Sequence, residues 1–163
     1  MTLEKNGIPT PAQLAVIKPS KERLAKGPVV LVECFQKIAC DPCYSACKRG
    51  GFLPFEDIND LPQMDYDKCN GCGICIGACP GLAIFVIDET YSEQEALLTI
   101  PWEFLPVPDE GSIARGLNRS GEPVALVKVV KVHPSAKKNG AMIISLAVPK
   151  ELADDIRSIR VKD

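Results

Sequence analysis

One histidine, one tryptophan and an aromatic share of 6 % are all that 163 residues hold of those types, and each scarcity removes a class of function. His133 stands alone and far in sequence from every cysteine, so there is no Cys/His or Ser/His pairing of the kind nucleophilic catalysis uses. Its place beside a loop reads as structural or solvated, and no residue is assigned a catalytic role. No apolar run approaches the roughly 18 residues a membrane-spanning helix needs. The net charge is −2, with acidic and basic residues interspersed, so no basic footprint for nucleic acid stands out. No glycine-rich dinucleotide loop follows a predicted strand; Gly71-Cys72-Gly73 belongs to a cysteine run instead. The first ten residues are polar, with no apolar h-region, and we expect a cytoplasmic protein. The length allows one domain or two small ones.

Cysteine is the abundant special residue, with eight in the chain. Residues 69–80 read Cys69-Asn70-Gly71-Cys72-Gly73-Ile74-Cys75-Ile76-Gly77-Ala78-Cys79-Pro80, the spacing C-x2-C-x2-C-x3-C-P. Cys34, Cys40, Cys43 and Cys47 lie upstream as C-x5-C-x2-C-x3-C. Four disulfides would need an oxidising compartment, for which the polar start gives no sign. Two zinc sites would also use CxxC pairs, but do not need three cysteines at x2-x2 followed by x3-C-P. The run resembles the one with which bacterial ferredoxins hold a [4Fe–4S] cluster. There, three thiolates close on one cube and the fourth ligates a second cluster. The resemblance implies two [4Fe–4S] clusters: one on Cys34, Cys40, Cys43 and Cys79, the other on Cys69, Cys72, Cys75 and Cys47. Thiolates are the soft ligands that iron–sulfur clusters take. Gly71, Gly73 and Gly77 can visit positive φ and aim bare N–H groups at cluster sulfur. Pro80 suits the first turn of a short helix.

The upstream set departs from the pattern with x5 for x2, and with Lys48 where proline is usual. That leaves open a [3Fe–4S] centre or a partly filled site on Cys34, Cys40 and Cys43. A partly exposed cation such as Lys48 or Arg49 beside a reduced cluster is worth about 1 kcal/mol, or roughly 40 mV for one electron.

Around these sets the chain divides into three. Residues 1–27 read as a polar arm. Thr10-Pro11-Ala12-Gln13 forms a capping box that opens a helix through Ile17, and Ser20 caps a second helix stopping at Lys26-Gly27. Leu14, Ile17 and Leu24 are its few anchors, so it must pack on the rest of the chain or on a partner. Residues 28–88 read as two similar halves, each strand, cysteine loop with short helix, strand. The strands are Pro28 to Glu33, Gly51 to Glu56, Leu61 to Asp67 and Leu82 to Asp88. The acidic residues Glu56, Asp57, Asp60, Asp65 and Asp67 between the halves read as a solvated turn, or as a surface that orients a basic partner. Residues 89–163 have no cysteine. Ala96 to Ile100, Glu103 to Val107 and Val124 to His133 are apolar runs. Met142, Ile144, Leu146 and Val148 alternate like a half-buried strand, after a turn at Lys137-Lys138-Asn139-Gly140. Pro149 then opens a predicted helix with Leu152, Ile156 and Ile159 on one face. Acidic Glu151, Asp154 and Asp155 lie near its start, Arg157 and Arg160 near its end. The fold class expected is α+β: a two-cluster ferredoxin-like core, an N-terminal arm, and a small β-barrel or curled sheet closed by this helix and used for docking. Trp102 is either an interface anchor or ordinary core.

Most of the chain is similar to a small iron–sulfur subunit that accompanies flavin-dependent amine and amino-acid dehydrogenases of anaerobes, of the sarcosine- and proline-oxidising type. The similarity rests on Val32-Glu33-Cys34, on Ile38-Ala39-Cys40-Asp41-Pro42-Cys43, and on Val148-Pro149-Lys150-Glu151 near the end. It implies an electron-transfer subunit passing single electrons between flavins, or from flavin to an external acceptor. The implied partners are FAD- or FMN-bearing dehydrogenase subunits and a further ferredoxin-like or [2Fe–2S] subunit. A free soluble two-cluster ferredoxin, or an assembly protein with structural clusters, are the other readings.

Overall fold

The structure, a computed structural model, describes residues 2–137 and 140–161; Lys138 and Asn139 of the turn expected at 137–140 lie outside the described residues. Three short helices open the chain: α1 (Leu3–Asn6), α2 (Pro11–Ile17) and α3 (Lys21–Leu24). The Thr10 hydroxyl accepts from the Gln13 N–H while the Gln13 side chain accepts from the Thr10 N–H, closing the capping box. Ser20 caps α3 by accepting from the Arg23 N–H. Leu24 is buried, and the arm packs on its own chain: Lys18 pairs with Asp154, and the Tyr66 hydroxyl donates to the Ile17 carbonyl.

Then come β1 (Val29–Val32), α4 (Pro42–Ala46), α5 (Ile74–Ala78), β2 (Ile84–Asp88), β3 (Glu95–Trp102), β4 (Ile113–Leu117), β5 (Pro123–Pro134), β6 (Met142–Pro149) and β7 (Ser158–Arg160). All seven strands join one antiparallel sheet in the order β1-β2-β3-β6-β5-β4-β7. The strands that flank the cysteine sets, β1 and β2, therefore share a sheet with the five strands beyond residue 89, because β3 pairs with β2 across the position where the sequence suggests a boundary. The two strands expected at Gly51 to Glu56 and Leu61 to Asp67 shrink to a bridge between Phe52 and Met64. Pro54 and Pro62 have no N–H to extend it.

Strand side chains alternate between two apolar clusters, as the period of two requires. Val29 and Leu31, Phe85 and Ile87, Leu98, Ile100, Ile144 and Leu146 fill one face with Leu24 and Ile156. Val30, Val32, Ile84, Val86 and Ile143 fill the other, against Phe52, Cys75 and Ile76. So β6 is covered on both faces, not half-buried as its alternation suggests. The sheet curls until its edges approach: Glu33, just past β1, bonds Arg157, just before β7, at 2.7 Å. No ladder joins β1 to β7 among the described residues, so the sheet is curled and open.

The helix expected after Pro149 is absent. A 3₁₀ turn, Lys150–Leu152, leads instead into β7, where Ile159 pairs with Gly116. The Leu152, Ile156, Ile159 spacing fits either form. Three contacts favour the strand: the open edge of β4, the Arg157 N–H bond to the Leu117 carbonyl, and the Arg157 side chain on the Ala153 and Ile156 carbonyls. Glu103 to Val107 forms no strand and exposes Phe104 and Leu105, whereas Trp102 is core, packed edge-on to Phe104 at 5.3 Å. His133 lies within β5, opposite Ile143, its Nδ1 3.1 Å from the Pro134 carbonyl.

Candidate cysteine-lined metal centres

Each cysteine owes its position to a short element. Cys34 follows β1; Cys40 is held by its N–H bond to the Ile58 carbonyl; Cys43 lies inside α4, which Pro42 opens. Cys69 and Cys72 precede α5, Cys75 lies inside it, and Gly73 caps it at φ 75°. Both helices end on a cysteine, Cys47 after α4 and Cys79 after α5. The helices touch one another, and their final cysteines cross over. Cys79 lines one pocket with Cys34, Cys40 and Cys43, together with Val32, Ile38 and Ile84. Cys47, like Cys69 and Cys72, lies close enough to Cys75 to act on its charge, and Cys47 Sγ and Cys69 Cα both lie within 4 Å of where a Gly51 Cβ would stand.

No disulfide joins any two of the eight cysteines in the structure. Burial pushes the Cys75 thiol up to about 12, and the neighbouring charges of Cys69, Cys72 and Cys47 push the same way. Burial pushes Cys43 up to about 11; the Tyr44 N–H pulls it down, and Cys79, Cys34 and Cys40 add to the rise. Cys34 is raised by burial and by Cys79 and Cys40. Such thiols become thiolates only against a strong local cation, which is what a metal centre supplies. Among the described residues no three His, Cys, Asp or Glu side chains converge on a single-ion site.

Backbone donors complete the surroundings. Gly51 N–H reaches Cys47 Sγ at 3.3 Å, Gly71 N–H reaches Cys69 Sγ at 3.4 Å, and Ala83 N–H reaches Cys79 Sγ at 3.5 Å. Gly71 and Gly73 have positive φ, at 69° and 75°; Gly77 does not. Gly77 is glycine for contact, since a Cβ there would stand 2.1 Å from Ser135 Oγ. Pro80 follows α5 and opens no helix; in the cysteine region the proline at a first helical turn is Pro42. Lys48 and Arg49 are exposed, and Arg49 Nε donates to the Lys68 carbonyl at 3.0 Å. Asp57, Asn59 and Asp60 bond to one another in an exposed turn, and Asp60 also lines the Cys34 pocket.

Sequence reasoning missed the guanidinium groups. Buried Arg23, from the arm, donates to four carbonyls: Tyr66 at 2.8 Å, Gly27 at 3.1 Å, Pro28 at 2.9 Å and Cys69 at 2.6 Å. Near the first set, Glu33 takes two bonds from Arg119, at 2.6 and 3.0 Å, and one from Arg157. Burial works to raise the Glu33 carboxyl, and the Arg119 and Arg157 bonds and charges outweigh it, holding it below the usual carboxylate range. Nothing in the sequence marks Arg23 apart from Lys21 or Lys26.

The 4Fe–4S binding domain family matches residues 62–85. The pyruvate synthase subunit PorD of Methanocaldococcus jannaschii is 40 % identical over 52 residues, 32 % of this chain and 58 % of that protein. The thiosulfate reductase electron transfer subunit PhsB of Salmonella typhi is 35 % identical over 51 residues, 28 % of this chain and 26 % of that one. The chain thus spans 58 % or less of the length of these two relatives. No solved structure matches it, and among the described residues no helix is long and apolar enough to cross a membrane. An uncharacterized ferredoxin of Methanocaldococcus jannaschii is 31 % identical over 58 residues, 35 % of this chain and 75 % of that protein. With that share of a whole ferredoxin matched, the chain belongs to the 4Fe–4S ferredoxin family.

Proposed function

We propose that this chain is an electron-transfer subunit of a cytoplasmic oxidoreductase complex and holds two [4Fe–4S] clusters. Cys34, Cys40, Cys43 and Cys79 would hold one, and Cys69, Cys72, Cys75 and Cys47 the other. The observation that carries this reading is the grouping of eight free thiols into two fours, each completed by the last cysteine of the other set's helix. When bound, such a cluster takes up and gives out one electron at a time. The chain's own task is to hold the clusters apart. Val30, Val32, Ile84, Val86 and Ile143 form the apolar layer against which both cysteine sets pack. That layer buries Cys75, while Cys72 is exposed and the other six cysteines are partly so, and the N–H groups of Gly51, Gly71 and Ala83 offset negative charge on three of them.

The partners we propose are flavin-bearing amine or amino-acid dehydrogenase subunits, on the resemblance of the Cys34–Cys43 segment and of Val148 to Glu151. Two relatives' names place them in pyruvate synthase and thiosulfate reductase instead, so purification of the native complex decides the partner. Anaerobic analysis tests the clusters: near eight iron and eight sulfide per chain are expected. Stoichiometric zinc without acid-labile sulfide would overturn the proposal.

A further inference from the structure

The N-terminal arm bonds to the loop of the second cysteine set at two places. One is the Tyr66 hydroxyl on Ile17; the other is Arg23, whose side chain ties Gly27 and Pro28 to Tyr66 and Cys69. Burial pushes the Tyr66 phenol up to about 12, with the Cys69 charge adding to it, so Tyr66 contributes a proton donor and no charge. Arg23 contributes a full charge. It is 9 % exposed, four of its N–H groups donate to carbonyl oxygens, and none of the described ion pairs includes it, although Asp65 and Asp67 line the same pocket. A buried cation bonded only to neutral acceptors is costly unless an anion stands near. Its shortest bond, 2.6 Å, is to the carbonyl of Cys69. The first set is arranged differently: there Arg119 and Arg157 share the carboxylate of Glu33.

Resting on the two-cluster reading above, we infer that Arg23 is a positioning residue of the second centre. Its shortest bond runs to the backbone of a ligand of the thiolate-bound cluster on Cys69, Cys72, Cys75 and Cys47, and its guanidinium favours the reduced, more negative form. The arm is then part of that centre and sets its potential selectively, because a buried charge acts strongly at short range and Arg23 bonds no part of the first set.

The test is an anaerobic redox titration, followed by electron paramagnetic resonance, of the full chain and of Arg23→Gln, Arg23→Lys and Tyr66→Phe. A Cys40→Ser background identifies the signal of the second centre. Arg23→Gln is expected to shift the reduction equilibrium of that centre at least tenfold toward the oxidised form, 59 mV for one electron, leaving the first unmoved. Arg23→Lys should recover most of the shift, and Tyr66→Phe, which loosens the arm without changing charge, should cause none. An unmoved potential in Arg23→Gln overturns the inference, as does an equal shift of both centres. Should Arg23→Gln lose the second centre's iron, Arg23→Lys decides. Retained iron at the parent potential supports a charge role; loss in both variants makes Arg23 structural and overturns it. Absence of sulfide from the parent chain would sink the two-cluster reading itself, a result separate from all of these.

Discussion

Replacing Gly71 by alanine adds one methyl group at the tightest backbone contact of the second cysteine set. Gly71 has φ 69°, and a Cβ there would stand 2.5 Å from Pro28 Cβ, 2.7 Å from its carbonyl carbon and 2.9 Å from its oxygen. Two costs are separable. Left-handed backbone costs an L-residue about 1–2 kcal/mol. Forcing a methyl into a packed contact costs about 1–3 kcal/mol more, and here the obstacle is backbone that Arg23 also grips, so little relief is available. Together the change should destabilise by roughly 2–5 kcal/mol. Gly121 supplies the control: its φ is 79° and nothing lies within 4 Å of its ideal Cβ, so Gly121→Ala should lose only the first term. Proteins with tightly bound metal centres unfold outside simple two-state behaviour, so the assay is a rate. Bleaching of the cluster absorbance in guanidinium should be about 30-fold to several thousand-fold faster in Gly71→Ala, if the contact is lost in the transition state. The second centre should go first. If Gly71→Ala and Gly121→Ala bleached at the same rate, the clash with Pro28 would have no energetic weight and the argument would fail.

Other outcomes follow from the same contacts. Cys79→Ala should damage the centre of Cys34, Cys40 and Cys43, and Cys47→Ala that of Cys69, Cys72 and Cys75; selective loss in the reverse sense by resonance spectroscopy would refute the crossed pairing. Glu33→Ala leaves the largely buried Arg119 and Arg157 side chains without their carboxylate, and should cost up to about 3 kcal/mol, read as faster unfolding. A Glu33→Ala chain as durable as its parent would show that these charges are solvated. A chain ended after Glu89 removes β3 from the edge of β2, and Ser135 and Ile143 from beside α5. It should fail to retain iron, and a truncated chain with full iron would show that the cysteine region folds alone.

Legibility in the sequence followed the range of the interaction. The cap at Thr10 was readable because its partners are three residues apart. The two groups of cysteines were suggested by spacing because a cluster-type loop closes over few residues, and only the crossing of Cys47 and Cys79 joins distant segments. The segment after Pro149 was misread because its apolar spacing suits a helix and a turn-plus-strand alike. The choice was made by β4, more than 30 positions earlier in the chain. Gly77 was noticed for the wrong property: its value lies in Ser135, a contact across 58 positions that no local pattern encodes. Arg23 was invisible for the same reason, since its carbonyl partners on the second loop lie 43 and 46 residues away.

The shared sheet changes what residues 89–163 are for. An antiparallel β1–β2 pair alone would leave the outer edge of β2 unpaired, and an unpaired apolar edge invites association. Here β3 occupies that edge, with Val86 opposite Thr99 and Ile87 opposite Leu98. The next strand, β6, then passes Ile143 into the layer that holds Cys75 and Ile76. Ser135, at the end of β5, fills the space that Gly77 leaves open on α5. Three strands of the cysteine-free region therefore reach the cysteine region by pairing, by packing and by close contact. Arg119 and Arg157 add a fourth link through Glu33, the residue before Cys34. Residues 89–163 can still carry a docking surface, for which the exposed Phe104 and Leu105 are available, but any partner seated there would press on the same sheet that backs the cysteines. Were the proposed clusters and a docked partner both present, this sheet would couple them, since a densely packed layer transmits displacement instead of absorbing it.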